Sequence, residues 1–154
     1  MHIMFSILYE QYSRDTKFLN IGTWRFTDGP PMNEFRSRHG CTTTIFGNSK
    51  VVIVVGGYDG NEYLNTMEMY HPLKNEWTLH STRLPLPLAY LQVVHSISLN
   101  YVAYAIGGRG NGSDQNAIYG LSRIEEWELV GNLEQKRQKH ASLNINSNDF
   151  PVCK

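Results

Sequence analysis

The stretch that decides the fold runs from residue 51 to residue 70 and reads VVIVVGGYDGNEYLNTMEMY. Its first five residues are β-branched, which is typical of a strand buried on both faces of a sheet. This run ends at Gly56-Gly57, and a polar loop separates it from a second strand-like segment at 64–70. Residues 41–46 before the stretch and residues 76–80 after it have the same character. The sequence therefore predicts four short antiparallel strands that form one small sheet.

Three kinds of marker recur along the chain with a period of about 50 residues. They are Trp24, Trp77 and Trp127, the doublets Gly56-Gly57 and Gly107-Gly108, and the segments RSRH at 36–39 and RQKH at 137–140. The tryptophans are 53 and 50 residues apart, the doublets 51, and the two basic segments 101, or two periods. A repeat of this length is typical of solenoids and propellers.

The second copy repeats the order of the first, with strands predicted at 91–98, 101–106, 117–121 and 126–130. No segment shows a helical period. A small sheet with two apolar faces must stack on its neighbours, and radial stacking into a propeller is the usual solution. The predicted fold class is all-β, a partial β-propeller built from four-stranded antiparallel blades.

Charge and composition exclude several classes of function. Fourteen basic residues balance fourteen acidic ones, so there is no field that would attract nucleic acid or a membrane surface. The segment 1–9 lacks the basic flank of a signal peptide and is interpreted as a strand, and no apolar run is long enough to cross a bilayer. Cys41 and Cys153 are interpreted as reduced thiols, which favours a cytoplasmic protein.

The markers together resemble the kelch repeat. The resemblance is carried by a basic residue and histidine, a strand ending in Gly-Gly, a tyrosine after the doublet, and a tryptophan 7 or 8 residues further on. In the first copy these are Arg38, His39, Gly56-Gly57, Tyr70 and Trp77, and in the second Gly107-Gly108, Tyr119 and Trp127. The second copy departs from the pattern, because Tyr90 stands where His39 and His140 stand, and Pro87 replaces the arginine.

The resemblance divides the chain into two whole blades and two half blades. The whole blades are kelch repeats at 30–80 and 83–130, flanked by the outer half of a preceding blade at 1–27 and the inner half of a following blade at 133–154. About three blades is below the usual four to eight. We therefore expect a partial gene product or an excerpt, with two copies closing a six-blade ring as the alternative.

The residues that could suggest nucleotide binding, ligand binding or metal binding are interpreted as structural. The glycine doublets do not open a helix, as a nucleotide-binding loop would. Trp77, Trp127, Tyr70 and Tyr119 are interpreted as core between blades. His39, His140 and Cys41 lack a third converging ligand, so we interpret the histidines as hydrogen-bonded structural residues. We expect no cofactor and no metal, and we predict that the chain is not an enzyme.

The loops before each first strand and after each Gly-Gly open on one face of the blades, because successive strands alternate in direction. This face also bears Asn33 and Asp114, and arginine and tyrosine are frequent anchors at recognition surfaces. The predicted partner-binding residues are Arg36, Arg38, Tyr58, Asp59, Asn61, Tyr90, Arg109, Asn111 and Arg137. Their arginines suit a short acidic peptide segment through charge-assisted hydrogen bonds.

The resemblance implies a protein-binding module that recognises a peptide or protein partner. Kelch propellers often serve as substrate-recognition parts of cullin-type ubiquitin ligase adaptors, and an alternative is binding of actin and other cytoskeletal proteins. A kelch-like copper oxidase would need a His/Tyr/Cys ligand set, which cannot be assembled from these residues. Blade edges left uncovered at the two ends predict self-association.

Overall fold

The computed structural model describes residues 2–6 and 12–142, the former by their backbone alone. This part of the chain contains thirteen β-strands in four antiparallel sheets and no α-helix. Accordingly, no helix in these two ranges could span a membrane. The all-β fold class predicted from the sequence is confirmed.

The N-terminal sheet has three strands in chain order, β1 (His2–Ser6), β2 (Thr16–Asn20) and β3 (Arg25–Asp28). The strand interpretation of segment 1–9 holds for residues 2–6, whereas residues 1 and 7–9 lie outside the described residues. An outer half-blade at 1–27 would contribute two strands, and the structure pairs three. The boundary of that half-blade stays a prediction.

The first four-stranded sheet, here called the first blade, contains β4 (Gly40–Phe46), β5 (Ser49–Val55), β6 (Thr66–His71) and β7 (Glu76–Arg83). The strands lie side by side in chain order. β4 pairs with β5 along its whole length, from Gly40 opposite Val55 to Phe46 opposite Ser49. The meander follows from three short connections, each of which reverses the chain.

The second blade has the same order, with β8 (Gln92–His95) beside β9 (Tyr101–Ile106), then β12 (Ala117–Ser122) and β13 (Trp127–Asn132). Between its second and third strands the chain forms a small hairpin of β10 (Arg109–Gly110) and β11 (Ser113–Asp114). The described sheets do not close into a ring.

Two hydrophobic cores lie on opposite faces of the first blade. Val51, Ile53 and Val55 of β5 pack toward the second blade, in a core that includes Trp127 and Tyr119. The residues between them, Val52 and Val54, pack with Met32, Tyr70 and Trp77, and Phe18 of the N-terminal sheet joins this second core. The period-2 alternation of a strand thus explains why the run is apolar throughout. Trp77 and Trp127 are each 7% exposed and lie between sheets.

The strand register corrects the alignment of the two tyrosines. Tyr70 pairs with Val52, and the matching residue of the second blade is Leu121, which pairs with Ala103. Tyr119 pairs with Ala105 and so corresponds to Glu68, which pairs with Val54. Counting residues after the doublet cannot find this offset, because the loop after Gly57 and the hairpin after Gly108 differ in length.

The predicted inner half-blade at 133–154 falls largely outside the described residues, which end at 142. Residues 133–142 form no strand in the structure. Leu133 is anchored to the second blade by its N–H, which donates to the Asn116 carbonyl at 2.7 Å. Cys153 also lies outside the described residues, so its predicted reduced state stays a prediction.

Candidate functional site

Three residues that are not glycine adopt the left-handed conformation at equivalent places in successive repeats. Arg38, Tyr90 and Lys139 have φ angles of 58°, 57° and 55°. Arg38 and Tyr90 precede β4 and β8, which are the first strands of the two blades. Non-glycine residues adopt this conformation uncommonly, and it costs roughly 1–3 kcal/mol in each case. A conformation repeated at that cost marks these positions as a candidate site.

Backbone hydrogen bonds join the three positions. The Tyr90 N–H donates to the Arg38 carbonyl at 2.7 Å, and the Lys139 N–H donates to the Tyr90 carbonyl at 3.1 Å. The side chains of the three residues are also in contact. The Arg38 guanidinium lies 5.1 Å and the Lys139 ammonium 4.8 Å from the centre of the Tyr90 ring. Two cations therefore contact one aromatic ring through cation–π interactions.

This chain of bonds corrects the alignment of the second repeat. Tyr90 corresponds to Arg38 and Lys139, not to the two histidines. The equivalent of His39 is Leu91, since both would contact a Cβ placed on the second glycine of a doublet, at Gly57 and Gly108 respectively. The correct offset is 52 residues here, whereas the doublets are 51 apart.

The glycine doublets position the second pair of site residues. Gly57 and Gly108 donate their N–H groups to the carbonyls of Leu88 and Arg137, each in the next repeat. The residue after each doublet then pairs with the segment before the first strand, Tyr58 with Ser37 and Arg109 with Ala89. Tyr58 and Arg109 thus occupy equivalent positions beside the first three residues.

These side chains line one cavity of about 330 Å³, which we call the Arg–Tyr pocket. Its lining residues are Arg38, Tyr58, Tyr63, Tyr90, Arg109, Gln138 and Lys139. Four of them belong to the predicted set, and Tyr63, Gln138 and Lys139 do not. The repeat itself could have shown Lys139, because the segment 137–140 aligns it with Arg38.

Tyrosine rings support one side of the pocket. The ring of Tyr58 lies 5.4 Å from that of Tyr63 and 5.4 Å from that of Tyr12. The Arg38 guanidinium lies 5.9 Å from the Tyr58 ring. Tyr12 packs against Gly60, where a Cβ would come within 2.6 Å of its ring. Rigid rings of this kind offer contact area at a low cost in conformational entropy.

Arg109 is partly neutralised on the other side of the pocket. One guanidinium nitrogen lies 3.1 Å from an Asp114 carboxylate oxygen, and another donates to the Gly112 carbonyl at 3.1 Å. Asn111 and Gly112 form the turn of this hairpin, with φ angles of 50° and 75°. Asn111 is thus a turn residue at an exposed tip, outside the pocket lining.

Asp59 organises the loop after the first doublet. Its carboxylate accepts hydrogen bonds from the N–H groups of Asn61 and Glu62, both at 2.7 Å. These bonds hold the pKa of the Asp59 carboxyl below its usual value, with the Glu62 N–H the larger cause. Asp59 therefore closes a turn, and Asn61 lies exposed on it, outside the lining of the pocket.

Arg36 lies in the interior, which removes it from the partner-binding set. Its side chain has no exposed area, and one guanidinium nitrogen lies 2.8 Å from both Glu34 and the fully buried Glu68. Another donates to the Gly56 carbonyl at 2.7 Å. Glu68 also accepts from the backbone and side chain of Asn33. Residues two apart on a regular strand share a face, but the left-handed backbone of Arg38 (φ 58°) interrupts that regularity, so Arg36 is buried while Arg38 lines the pocket.

The two histidines of the repeat are half-buried, and the hydrogen bonds predicted for their rings are not all formed. Within the described residues, Nδ1 of His39 and both ring nitrogens of His140 are buried without a hydrogen-bond partner. Burial, with a smaller effect of Arg36, lowers the pKa of His39 to about 4. Burial and then Arg137 lower the pKa of His140. The Arg137 side chain itself is exposed beside the pocket lining.

No group of three or more His, Cys, Asp or Glu side chains in the described part of the chain is arranged to hold a metal ion. Cys41 is a free, exposed thiol on β4. The absence of cofactors and of enzyme activity stays a prediction.

Stacked four-stranded meanders joined through Gly-Gly contacts define a blade-repeat protein, and comparison with known proteins shows which repeat one segment resembles. Residues 37–79 match the Kelch motif. Kelch-like protein 8 from mouse (Mus musculus) is 46% identical over 55 residues, which cover 36% of this chain. The matched segment is 8% of the length of that relative. The resemblance to the kelch repeat predicted from the sequence is confirmed over this segment.

Proposed function

We propose that this chain is a protein-binding module that captures an acidic peptide segment in the Arg–Tyr pocket. The observation that carries the proposal is the state of the pocket cations. Arg38 and Lys139 contact tyrosine rings, and neither forms an ion pair within the described residues. Cations held beside aromatic rings can accept a carboxylate with little reorganisation.

The proposed contacts divide between anchors and supports. Arg38 and Lys139 supply charge, Arg109 supplies a second guanidinium already oriented by Asp114, and Tyr58 and Tyr90 supply contact area. Asp59, Asn61 and Asn111 shape the surrounding loops, and Arg137 adds positive charge at the rim. Arginine and tyrosine dominate the binding energy of many interfaces.

The test is a calorimetric titration of the chain with a peptide of alternating glutamate and glycine. Arg38→Ala and Arg109→Ala should each weaken binding by roughly 1–3 kcal/mol, the usual cost of losing a charge-assisted anchor. Lys74→Ala, on the opposite face, serves as a matched control and should change it little. Equal losses from both faces, or a loss from the control alone, would refute the proposal.

We further propose that the parent protein acts in the cytoplasm as a substrate adaptor of a cullin-type ubiquitin ligase. The family resemblance supports this role, and the free thiol of Cys41 suits a reducing compartment. Co-precipitation of a cullin scaffold with the full-length parent tests it. Recovery of actin filaments instead of a cullin would favour the cytoskeletal alternative.

A further inference from the structure

The face of the two blades opposite the Arg–Tyr pocket carries a groove, which we call the turn groove. It consists of two cavities of about 470 and 240 Å³, both lined by Val102 and Arg123. The larger cavity lies between the ends of β4 and β8, and the smaller extends outward past Phe46 to Glu125. The groove therefore follows the junction between the blades.

One hydrogen bond across the junction and two within the second blade fix the residues that line the groove. The Thr44 hydroxyl of the first blade donates to the Val102 carbonyl of the second at 2.7 Å. The Arg123 guanidinium donates to the Leu99 carbonyl at 2.6 Å and to the Ser98 carbonyl at 3.3 Å. These bonds leave other N–H groups of Arg123 available and hold its side chain in place.

Charge in the larger cavity is positive and unpaired. Lys50 and Arg123 line it, and no carboxylate within the described residues forms an ion pair with either. Glu125, at the outer end of the smaller cavity, lies 3.3 Å from His80. The larger cavity should therefore bind negatively charged groups in preference to neutral or positive ones.

Exposed aliphatic side chains flank these cations. Ile45 and Ile97 line the larger cavity and are 62% and 64% exposed. β4 is also an edge strand of its sheet. An edge strand offers unpaired backbone groups to which an extended peptide can bind.

We propose that the turn groove is a second docking site, which binds an extended peptide segment carrying both aliphatic and acidic side chains. The aliphatic side chains pack on Ile45 and Ile97, and the carboxylates bind Lys50 and Arg123. The site shares no residue with the Arg–Tyr pocket, so the chain can hold two peptide segments on opposite faces.

The test uses the full 154-residue chain and a fluorescent peptide of alternating leucine and aspartate, followed by anisotropy. Lys50→Ala and Arg123→Ala should each weaken binding about tenfold, the loss typical of a charge-assisted contact. Lys74→Ala should leave it unchanged, because Lys74 is an exposed lysine paired with Glu76 on another turn. A peptide of alternating leucine and lysine should bind at least about tenfold more weakly.

Three outcomes would overturn the second site: no binding by the folded chain, equal affinity for the two peptides, or full affinity in both Lys50→Ala and Arg123→Ala. The Lys50 side chain donates no hydrogen bond within the described residues, so its variant keeps the fold. The Arg109→Ala variant measures how much of this acidic peptide binds in the Arg–Tyr pocket instead. Loss of binding with Arg109→Ala alone would place the peptide in the Arg–Tyr pocket and would leave the proposed function intact.

Discussion

Arg36 and Arg38 are two residues apart in the sequence, and the structure gives them opposite roles. Arg36 joins the Gly56 carbonyl to the buried Glu68, whereas Arg38 projects into the pocket beside Tyr90. Sequence reasoning placed both on the binding face, because the loop carries no signal of which arginine is inward. The signal lies elsewhere in the chain, in the single carboxylate at position 68 of an otherwise apolar strand.

Arg36→Ala should lower the free energy of unfolding by about 3–5 kcal/mol, because it leaves Glu68 buried and uncompensated. Lys74→Ala, which breaks the exposed pair with Glu76, should change it by less than about 0.5 kcal/mol. Urea denaturation followed by tryptophan fluorescence measures both. Similar small losses in the two variants would show that the buried pair does not stabilise the fold.

Gly56 is required for close approach as well as for its backbone angle. Its φ is +65°, and a Cβ there would lie 2.3 Å from the Leu88 carbonyl oxygen of the next repeat. Gly47 is a matched control, with φ +59° and nothing within 4 Å of a Cβ. Gly47→Ala should cost about 1 kcal/mol, and Gly56→Ala about 3 kcal/mol or more. Equal losses in thermal melts would mean that the contact between repeats is unimportant.

At the scale of strands and blades, the repeat could be predicted from the sequence because the packing of the sheets requires its marker residues. Gly-Gly, tryptophan and the β-branched run each reflect close packing between sheets, so their spacing predicted the strands of both blades. The sequence did not show which residue of one repeat corresponds to which residue of the next. Loop lengths differ between the blades, and the offsets that match Tyr90 with Arg38 and Leu121 with Tyr70 depend on strand register.

The residues of the candidate site could be predicted only in part, because loop conformation decides which side chains reach the pocket. Loop order showed which residues share a face, and four of the predicted residues line the pocket. The direction of each side chain within a loop depends on left-handed residues and turn hydrogen bonds. Neither Tyr63 nor Gln138 has a sequence signal that distinguishes it from an ordinary loop residue.

The equivalence of His39 in the first blade and Leu91 in the second can be tested by placing leucine at position 39. The pKa of His39 is lowered from 6.5 to about 4, so the folded state binds fewer protons than the unfolded state between these values. Stability should be full above about pH 6.5 and should fall as the pH drops toward 4. His39→Leu should remove part of this dependence in melts across pH 4–7. An unchanged pH profile would contradict the burial of this imidazole.

At the scale of the whole molecule, one face of the second blade has no sheet packed on it within residues 2–6 and 12–142. This face bears Val94, Tyr104, Ile106 and Ile118, opposite the core shared with the first blade. Uncovered apolar faces and sheet edges promote association. The isolated chain is therefore expected to associate through this face.

Sedimentation velocity should show mass increasing with concentration, and Ile106→Lys should reduce the association. Leu73→Lys, at a turn where the leucine is 99% exposed, should leave it unchanged. A monomer at every concentration, with cooperative melting, would show that the face does not drive association.

Hydrogen exchange with mass spectrometry tests most directly whether the Arg–Tyr pocket is the binding site. The chain is labelled with and without a saturating peptide of alternating glutamate and glycine. Binding in the pocket should slow exchange in segments 37–39, 58–63 and 88–91, whose backbone groups surround the cations, and should leave 43–50 and 95–102 unchanged. Slower exchange confined to 43–50 and 95–102, or no change anywhere with the peptide bound, would contradict the account.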